Sequence, residues 1–255
     1  MTRIAANWLT KPLPWRGLRV TVMGLGAFGG GEGAARFLAE QGALVTVTDL
    51  KPHAALQPAA DRVAALRGVT LKLGSHDPTD FTETDLLVVN PAVQRSNEFL
   101  SLAIAAGVSL TSEMNLFWMQ HRGRTIGVTG SNGKSTTTTL IHAMLQSAGI
   151  KARIGGNIGR SLLPEVENIG PDEWTVLELS SFLNWLTSIT CTRVPRSRSS
   201  RILAAPNHQD RHASLEEYRD AKQTILRWQR ADDVAVLNAD DTDVALANAW
   251  SRVEV

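Results

Sequence analysis

The chain has 255 residues, 43% of them hydrophobic, and its 26 basic and 25 acidic residues give a formal net charge of +1. This length is enough for one large core or two smaller ones, and the near-neutral balance gives no reason to expect nucleic acid as a partner. The single cysteine excludes an intramolecular disulfide framework, and without a signal-like N-terminus or an apolar run of roughly 18 residues we expect a soluble cytoplasmic protein with no membrane partner.

The first segment, from Leu18 to Asp49, predicts a βαβ unit, because a glycine cluster and an alanine-rich stretch lie between two apolar runs. Gly24, Gly26 and Gly29 fit G-x-G-x-x-G, where missing side chains permit a tight turn, close approach of a phosphate, and packing of the helix on the strand. The Asp49 carboxylate is placed to accept hydrogen bonds from a ribose. Taken alone, the segment leaves a dinucleotide-dependent oxidoreductase, another nucleotide site and a structural glycine turn open.

The alternation of strands and helices continues beyond this unit. We predict a helix near 58–67, strands at 69–74 and 85–90, and a helix near 98–106. No constellation of residues for hydride transfer appears in this part of the sequence. The pattern therefore favours an α/β nucleotide fold without an oxidoreductase centre.

A second phosphate-type loop follows in RTIGVTGSNGKSTTTTLIHAMLQSAG, residues 124–149. We predict a strand at 125–129, a small polar loop, and a helix that bears Leu140, Ile141, Met144 and Leu145. The strict phosphate-loop pattern has glycine where this chain has Val128, so the match is to the shorter form T-G-x-x-G-K-S. The segment nevertheless predicts ATP or GTP binding.

In such a loop, backbone N–H groups cradle phosphate oxygens, Lys134 neutralises β- and γ-phosphate charge, and the Ser135 hydroxyl ligates Mg²⁺. The threonine run 136–139 is expected to be mostly helix surface beyond its first residue. Two phosphate-type loops in consecutive domains argue against a simple dehydrogenase. One of the loops is expected to hold a substrate.

Eight ordered motifs together resemble the ATP-dependent Mur ligase family of peptidoglycan synthesis, most closely the members that add D-glutamate. The resemblance runs from about residue 16 to the end of the chain. The motifs are GLGAFG (24–29), VVNPAV (88–93), TGSNGKST (129–136), GGNIG (155–159), LELSSF (177–182), NHQDRH (207–212), YRDAK (218–222) and VLNADD (236–241).

The resemblance implies an α/β fold, with a Rossmann-like N-terminal domain at 1–121 followed by an incomplete P-loop-type central domain at 122–255. The first domain would bind the UDP part of the substrate and the second ATP. The family's C-terminal, amino-acid-binding domain is expected to be absent, so that this chain alone is expected to be inactive.

The resemblance also implies a set of site residues. Those for the UDP-substrate are Gly24, Leu25, Gly26, Ala27, Phe28, Asp49, Asn90, Pro91, Ala92, Asn157 and Ser180. Those for ATP are Gly130, Ser131, Asn132, Gly133, Lys134, Ser135, Thr136, Asn238 and Asp240. The catalytic set is Lys134, Glu178, His208 and Lys222, and the metal ligands are Ser135, Glu178, His208 and, if it is carbamylated, Lys222.

For three of these residues, a simpler structural interpretation competes with the implied functional role. Glu178 ends an apolar strand, where a carboxylate is costly unless paired or metal-bound, and this favours the ligand role. His208 and its neighbours in NHQDRH suggest a zinc site by spacing alone, but no Cys/His cluster accompanies them. Lys222 on a polar helix is ordinarily a solvated lysine, and only the resemblance assigns it a function.

The implied reaction joins UDP-N-acetylmuramoyl-L-alanine to D-glutamate, with ATP and Mg²⁺ as cofactors and a monomeric enzyme. The substrate carboxylate attacks the γ-phosphate of ATP, and the amine then displaces phosphate from the acyl phosphate. The alternatives are another Mur-type or folylpolyglutamate-type ligase, an NAD-binding oxidoreductase, and a nucleotide-binding remnant or an arginine/serine-mediated nucleic-acid binder.

Residues from about 183 to 205 depart from the family pattern. Arg196, Arg198 and Arg201 fall where the family has an apolar central strand, and a buried parallel strand normally reads as a continuous Val/Ile/Leu run. Reverse translation with allowed codons, read from the third base, turns this stretch into Val-Ala-Val-Val-Thr-Asn. We therefore hypothesise two compensating frameshifts, in the gene or in its sequencing.

Overall fold

The computed structural model describes residues 15–26, 29–94, 96–130, 132–179, 199–203 and 233–237. These residues form two compact units. The first comprises the described residues up to Met119 together with Ser161–Pro164, and the second comprises the others. Within the described ranges, no helix combines the length and the apolar character needed to cross a membrane.

The first unit is a parallel five-stranded sheet with the order β3-β2-β1-β4-β5 and helices in the connections. All four residues of β4 are buried, as expected for an inner parallel strand. The elements are β1 (Arg19–Met23), α1 (Gly30–Glu40), β2 (Leu44–Asp49), α2 (Ala59–Ala64), β3 (Val69–Leu73), α3 (Thr79–Thr82), β4 (Leu86–Val89), α4 (Glu98–Ala105), β5 (Ser109–Thr111) and α5 (Glu113–Gln120).

The second unit is also built on a parallel five-stranded sheet, with the order β10-β9-β6-β8-β7. This confirms the predicted α/β class for both halves of the chain. The elements are β6 (Arg124–Val128), α6 (Lys134–Ser147), β7 (Ala152–Gly156), β8 (Trp174–Glu178), β9 (Ser199–Leu203) and β10 (Val236–Leu237).

Strand β9 lies in the second half of the anomalous segment. It pairs in parallel with β6, where Gly127 faces Arg201, and on its other side with β10, where Ile202 faces Val236. An arginine-bearing stretch thus supplies an inner strand of the sheet backbone. The frameshift hypothesis remains a prediction.

Helix α6 differs in two ways from the surface helix that the sequence suggests. Thr138 is fully buried, and its hydroxyl donates to the Lys134 carbonyl at 2.7 Å, so this threonine is an exception to the predicted helix surface. Conversely, Leu140 is 58% exposed and Met144 62% exposed. In α6, the buried side chain is therefore the polar Thr138, whereas the apolar Leu140 and Met144 are exposed.

Candidate functional site

The glycine loop of the first unit begins where β1 ends, at the carboxyl edge of the sheet. This edge is where open parallel sheets bind their ligands. Gly24 and Gly26 have φ of +90° and +74°, a region that side chains strongly disfavour. A Cβ on Gly26 would also lie 2.4 Å from Asn90 Nδ2. Both glycines are therefore required by backbone geometry and by the close approach of Asn90.

The third glycine of the pattern has a different task from the one predicted. Gly29 is the N-cap of α1 at φ +75°, and the atom nearest to an added Cβ would be 3.9 Å away, so this residue does not provide the helix packing. Gly31 does: its added Cβ would lie 2.3 Å from the Gly24 carbonyl oxygen and 2.5 Å from that of Leu25. The close contact between helix and loop thus depends on a glycine two positions later.

Asp49 ends β2 and Asn90 follows β4, the strands on the two sides of β1, and so these residues flank the glycine loop. The Leu25 N–H donates to Asp49 Oδ2 at 2.9 Å, and the Lys51 N–H donates to Oδ1 at 2.9 Å. Asn90 Oδ1 accepts from the Ala92 N–H at 3.0 Å. Most of the residues predicted for the UDP-substrate in this unit are thereby brought together. Pro91 lies between Asn90 and Ala92.

The phosphate-type loop of the second unit connects β6 to α6. Gly133 is the N-cap of α6 at φ +74°, and Lys134 is the first residue of the helix. A helix begun in this way directs free N–H groups at its entrance, which favours an anion. Gly130, Asn132 and Thr136 belong to the same loop and first turn, so the predicted ATP residues between 130 and 136 that the structure describes are adjacent.

Glu178 lies at the end of β8 and connects this loop to the next strand. Its Oε2 accepts a hydrogen bond from Ser135 Oγ at 2.6 Å, and its Oε1 accepts from Asn157 Nδ2 at 3.1 Å. Gly156, at φ +92°, allows β7 this close, since an added Cβ would lie 2.2 Å from the Glu178 carbonyl oxygen. Three residues predicted from separate motifs therefore form one cluster.

The cluster fits a hard divalent cation. Glu178 is only 2% exposed, and its partners among the described residues, Ser135 and Asn157, are uncharged. A buried carboxylate without a cationic partner is unfavourable, and hydroxyl and carboxylate oxygens are ligands that Mg²⁺ prefers. In the described part of the chain, no three His, Cys, Asp or Glu side chains are grouped to hold a metal ion. A cation would therefore need further ligands, such as phosphate oxygens or water.

Several predicted site residues lie outside the residues that the structure describes. Their roles stay predictions. They are Ala27 and Phe28 of the glycine loop, Ser131 of the phosphate loop, Ser180, His208, Lys222, Asn238 and Asp240.

A pair in the first unit was not anticipated from the sequence. Ser161 Oγ donates to Glu113 Oε1 at 2.5 Å, and burial raises the pKa of Glu113 to about 7 although the serine hydrogen bond opposes the shift. The two residues are 48 positions apart and neither belongs to a glycine motif. Glu113 lies two residues after the end of β5 and is the first residue of α5, and neither position indicates a contact with Ser161.

Two family profiles match the chain. One, described as the N-terminal domain of MurD-like Mur ligases, matches residues 18–112. The other, described as the Mur ligase middle domain, matches 128–191 and 202–254, which leaves the arginine- and serine-rich stretch 192–201 unmatched.

Curated relatives agree with these matches. A UDP-N-acetylmuramoylalanine-D-glutamate ligase from Roseiflexus sp. is 42% identical over 224 residues, which are 88% of this chain and 47% of the relative. A protein of the same name from Koribacter versatilis is 38% identical over 226 residues, or 89% of this chain and 48% of the relative. The chain thus spans about half the length of the curated relatives it matches.

Solved structures show the same fold. A UDP-N-acetylmuramate:L-alanyl-gamma-D-glutamyl-meso-diaminopimelate ligase from Neisseria meningitidis superposes with a TM-score of 0.58 at 18% identity, covering 93% of this chain and 77% of that one. A murein peptide ligase from Psychrobacter arcticus gives 0.56 at 20% identity, covering 93% and 53%. With both profiles, these relatives and this fold in agreement, the chain belongs to the Mur ligase family.

Proposed function

We propose that this chain carries the UDP-substrate and ATP half-sites of a ligase that joins D-glutamate to UDP-N-acetylmuramoyl-L-alanine. The observation that carries the proposal is the cluster of Ser135, Asn157 and Glu178 at the entrance of α6. The names of the curated relatives support the choice of D-glutamate as the incoming amino acid.

In the first unit, the UDP diphosphate would bind at the N-terminal end of α1. The free N–H groups there favour an anion, and the absence of side chains at Gly24 and Gly26 leaves the loop backbone accessible. Asp49 would contact the ribose while it holds Leu25, because a carboxylate can accept up to about four hydrogen bonds. Asn90 would border the opposite side of the ligand.

In the second unit, the chain's own groups would hold the ATP phosphates. The loop N–H groups and Lys134 would balance the negative charge that keeps a second anion away from the γ-phosphate. Ser135 and Glu178 would hold Mg²⁺, which supplies further neutralisation of phosphate charge when bound. Asn157 would orient Glu178 through its hydrogen bond to Oε1 and would also contact the substrate.

The proposed chemistry has two steps. The terminal carboxylate oxygen of UDP-N-acetylmuramoyl-L-alanine attacks the γ-phosphorus of ATP in line, so that an O–P bond forms, the bond to the bridging oxygen breaks, and ADP leaves. The amine of D-glutamate then attacks the acyl carbon, loses a proton, and displaces phosphate. Lys134 would serve the first step, because attacking carboxylate and γ-phosphate are both anionic and repel each other.

Nucleotide binding to the 255-residue chain tests the two half-sites separately. Isothermal titration calorimetry should detect UDP, and it should detect ATP with a clear dependence on Mg²⁺. Lys134→Ala should weaken ATP binding by tenfold or more, which corresponds to about 1.4 kcal/mol, and should leave the affinity for UDP unchanged. Lys151→Ala, an exposed lysine of the same unit, is the matched control.

Titration with NAD separates the proposal from the oxidoreductase alternative. A chain that binds NAD and not UDP would overturn the assignment of the first unit. A chain that binds UDP but shows no Mg²⁺-dependent ATP binding would overturn the assignment of the second.

A further inference from the structure

Residues 161–164 pack in the first unit along α1, the helix that begins at the glycine loop. Ser161 packs directly against α1 at Gly33, which has no side chain. A Cβ on Gly33 would lie 2.3 Å from Ser161 Oγ and 2.6 Å from Ser161 Cβ. The backbone nitrogen of Ser161 also lies 3.9 Å from the position of a Cβ on Gly29, the N-cap of α1. The segment 161–164 therefore forms a wall beside the helix end proposed to bind the diphosphate.

Glu113 fixes this wall. Its Oε1 accepts the Ser161 hydroxyl hydrogen at 2.5 Å, while Ser161 Oγ accepts from the Leu163 N–H at 3.2 Å. Leu162 is 4% exposed and Leu163 is completely buried. The segment is thus held by one polar contact to α5 and by two buried leucines.

The proton equilibrium of Glu113 depends on its burial. Neither residues 161–164, nor β5, nor the remainder of α5 carries a titratable side chain. On α1, Glu32 pairs with Arg62 at 2.7 Å and with Arg36 at 3.5 Å. Arg160 and Glu165, which flank the segment in sequence, pair with each other at 2.6 Å. Burial is therefore the main reason for the raised pKa of Glu113.

We propose that Glu113 is a positioning residue for the UDP site, which in its protonated form holds residues 161–164 against the first turns of α1. The inference rests on the proposed UDP binding for its functional consequence. Its structural part, the docking of the segment, stands on the contacts of Ser161 with Glu113 and Gly33.

The sign of the pH effect follows from linkage. With the segment docked, burial raises the pKa of Glu113 to about 7, and release of the segment would move this pKa back toward the ordinary value of 4.5. The docked state therefore binds the proton more tightly. Docking is fully favoured below pH 4.5 and is progressively lost as the pH rises through 7, by up to about tenfold per pH unit.

Glu113→Gln tests this, because glutamine keeps the shape and the acceptor oxygen but does not titrate. UDP affinity is measured by calorimetry between pH 6 and 8.5 for the wild type and the variant. At each pH, the ratio of the two affinities removes the contribution from ionisation of UDP, because this contribution is the same for both proteins. We expect the wild type to lose affinity relative to Glu113→Gln over this range, by up to about tenfold. Glu98→Gln, which alters an exposed carboxylate in the first turn of α4, should follow the wild type.

Gly33→Ala provides a second variant that does not depend on titration. The added methyl group must displace Ser161, so UDP affinity should fall at every pH and the difference across the pH range should shrink. Circular dichroism and thermal unfolding identify any variant that fails to fold.

Hydrogen–deuterium exchange of the peptide containing Leu163 follows docking without any ligand. After correction for intrinsic rates, protection should fall as the pH rises from 6 to about 7.5 in the wild type, level off above that, and stay constant in Glu113→Gln. Identical pH profiles in the two proteins would overturn the inference, whether or not UDP binds. Absence of UDP binding in all variants, with the expected exchange difference, would overturn the proposed function of the unit and leave the docking role supported.

Discussion

The Ser135 hydroxyl donates a hydrogen bond to Glu178, with 2.6 Å between Oγ and Oε2. The serine lies in the first turn of α6 and the glutamate at the end of β8, so the contact joins the phosphate loop to the inner part of the sheet. Both are proposed ligands of the same cation. The serine hydroxyl provides the buried carboxylate with a hydrogen-bond donor.

Replacing Glu178 with Gln should separate metal dependence from folding. The amide can still accept from Ser135, but it removes the negative charge that a divalent cation requires. ATP affinity in the presence of Mg²⁺ should fall tenfold or more, whereas affinity in EDTA should change less than twofold. Asp172→Asn, whose side chain is 93% exposed, should leave both values unchanged. Equal Mg²⁺ dependence in wild type and Glu178→Gln would remove Glu178 from the metal site.

Adjacent glycines at the start of α1 should respond oppositely to alanine. Gly31→Ala places a methyl group 2.3 Å from the Gly24 carbonyl oxygen, and this clash can be relieved only if the backbone moves. The substitution should therefore destabilise the first unit by about 1–3 kcal/mol. Gly30→Ala meets nothing within 4 Å and should be neutral or stabilise by up to about 1 kcal/mol. Urea unfolding of the two variants measures the difference, and equal midpoints would contradict the close packing of α1 on the loop.

His121 should make the second unit sensitive to acid. Its Nε2 lies 3.1 Å from Thr125 Oγ1 and 3.2 Å from Thr175 Oγ1, and burial lowers its pKa to about 4. An unfolded chain takes up this proton near pH 6.5 while the folded protein does not, so stability is present above pH 6.5 and is lost as the pH falls toward 4. Between pH 7 and 5 the loss should be about 2 kcal/mol.

His121→Gln should remove this part of the pH dependence, whatever it does to stability at pH 7. His53→Gln, which replaces a histidine with 48% side-chain exposure, serves as the control for the replacement of a histidine as such. If wild type and His121→Gln show the same change in urea midpoint between pH 7 and 5, the buried neutral imidazole is not responsible.

The DNA encoding residues 183–205 should contain two compensating changes of reading frame. Within this segment, the family profile matches residues up to 191 and from 202 onward, so that 192–201 is the part that departs from the family. High-quality resequencing decides the matter. An uninterrupted frame that encodes Arg196, Arg198 and Arg201 would exclude an error of sequencing as the source of the stretch.

The parts of the site that could be predicted are those whose requirements are local in sequence. Gly24 and Gly26 need positive φ, and a strand, loop and helix in succession define the entrance of α6, so a short stretch of sequence is sufficient for each. The fold class was likewise predictable from the alternation of apolar runs and helical segments, and both sheets confirm it.

The parts that could not be predicted depend on partners distant in sequence. Ser161 meets Glu113 across 48 residues, and nothing in either neighbourhood specifies the contact. The close contact between α1 and the glycine loop is made at Gly31 and not at Gly29, because it depends on how the helix packs against the loop. Thr138 is buried by the same kind of long-range packing, which the local pattern of four threonines does not reveal.

The strand order of the second unit has a consequence for how its sheet is assembled. In chain order, β6, β7 and β8 come first, and they form a contiguous block in the sheet. During synthesis from the amino end, this block can form early, and it then exposes the unpaired edge of β6. Among the strands that the structure describes, β9 pairs with that edge and β10 pairs with β9, so these two strands are expected to add in sequence. The arginine-bearing strand is thus the step on which completion of the sheet depends during biosynthesis.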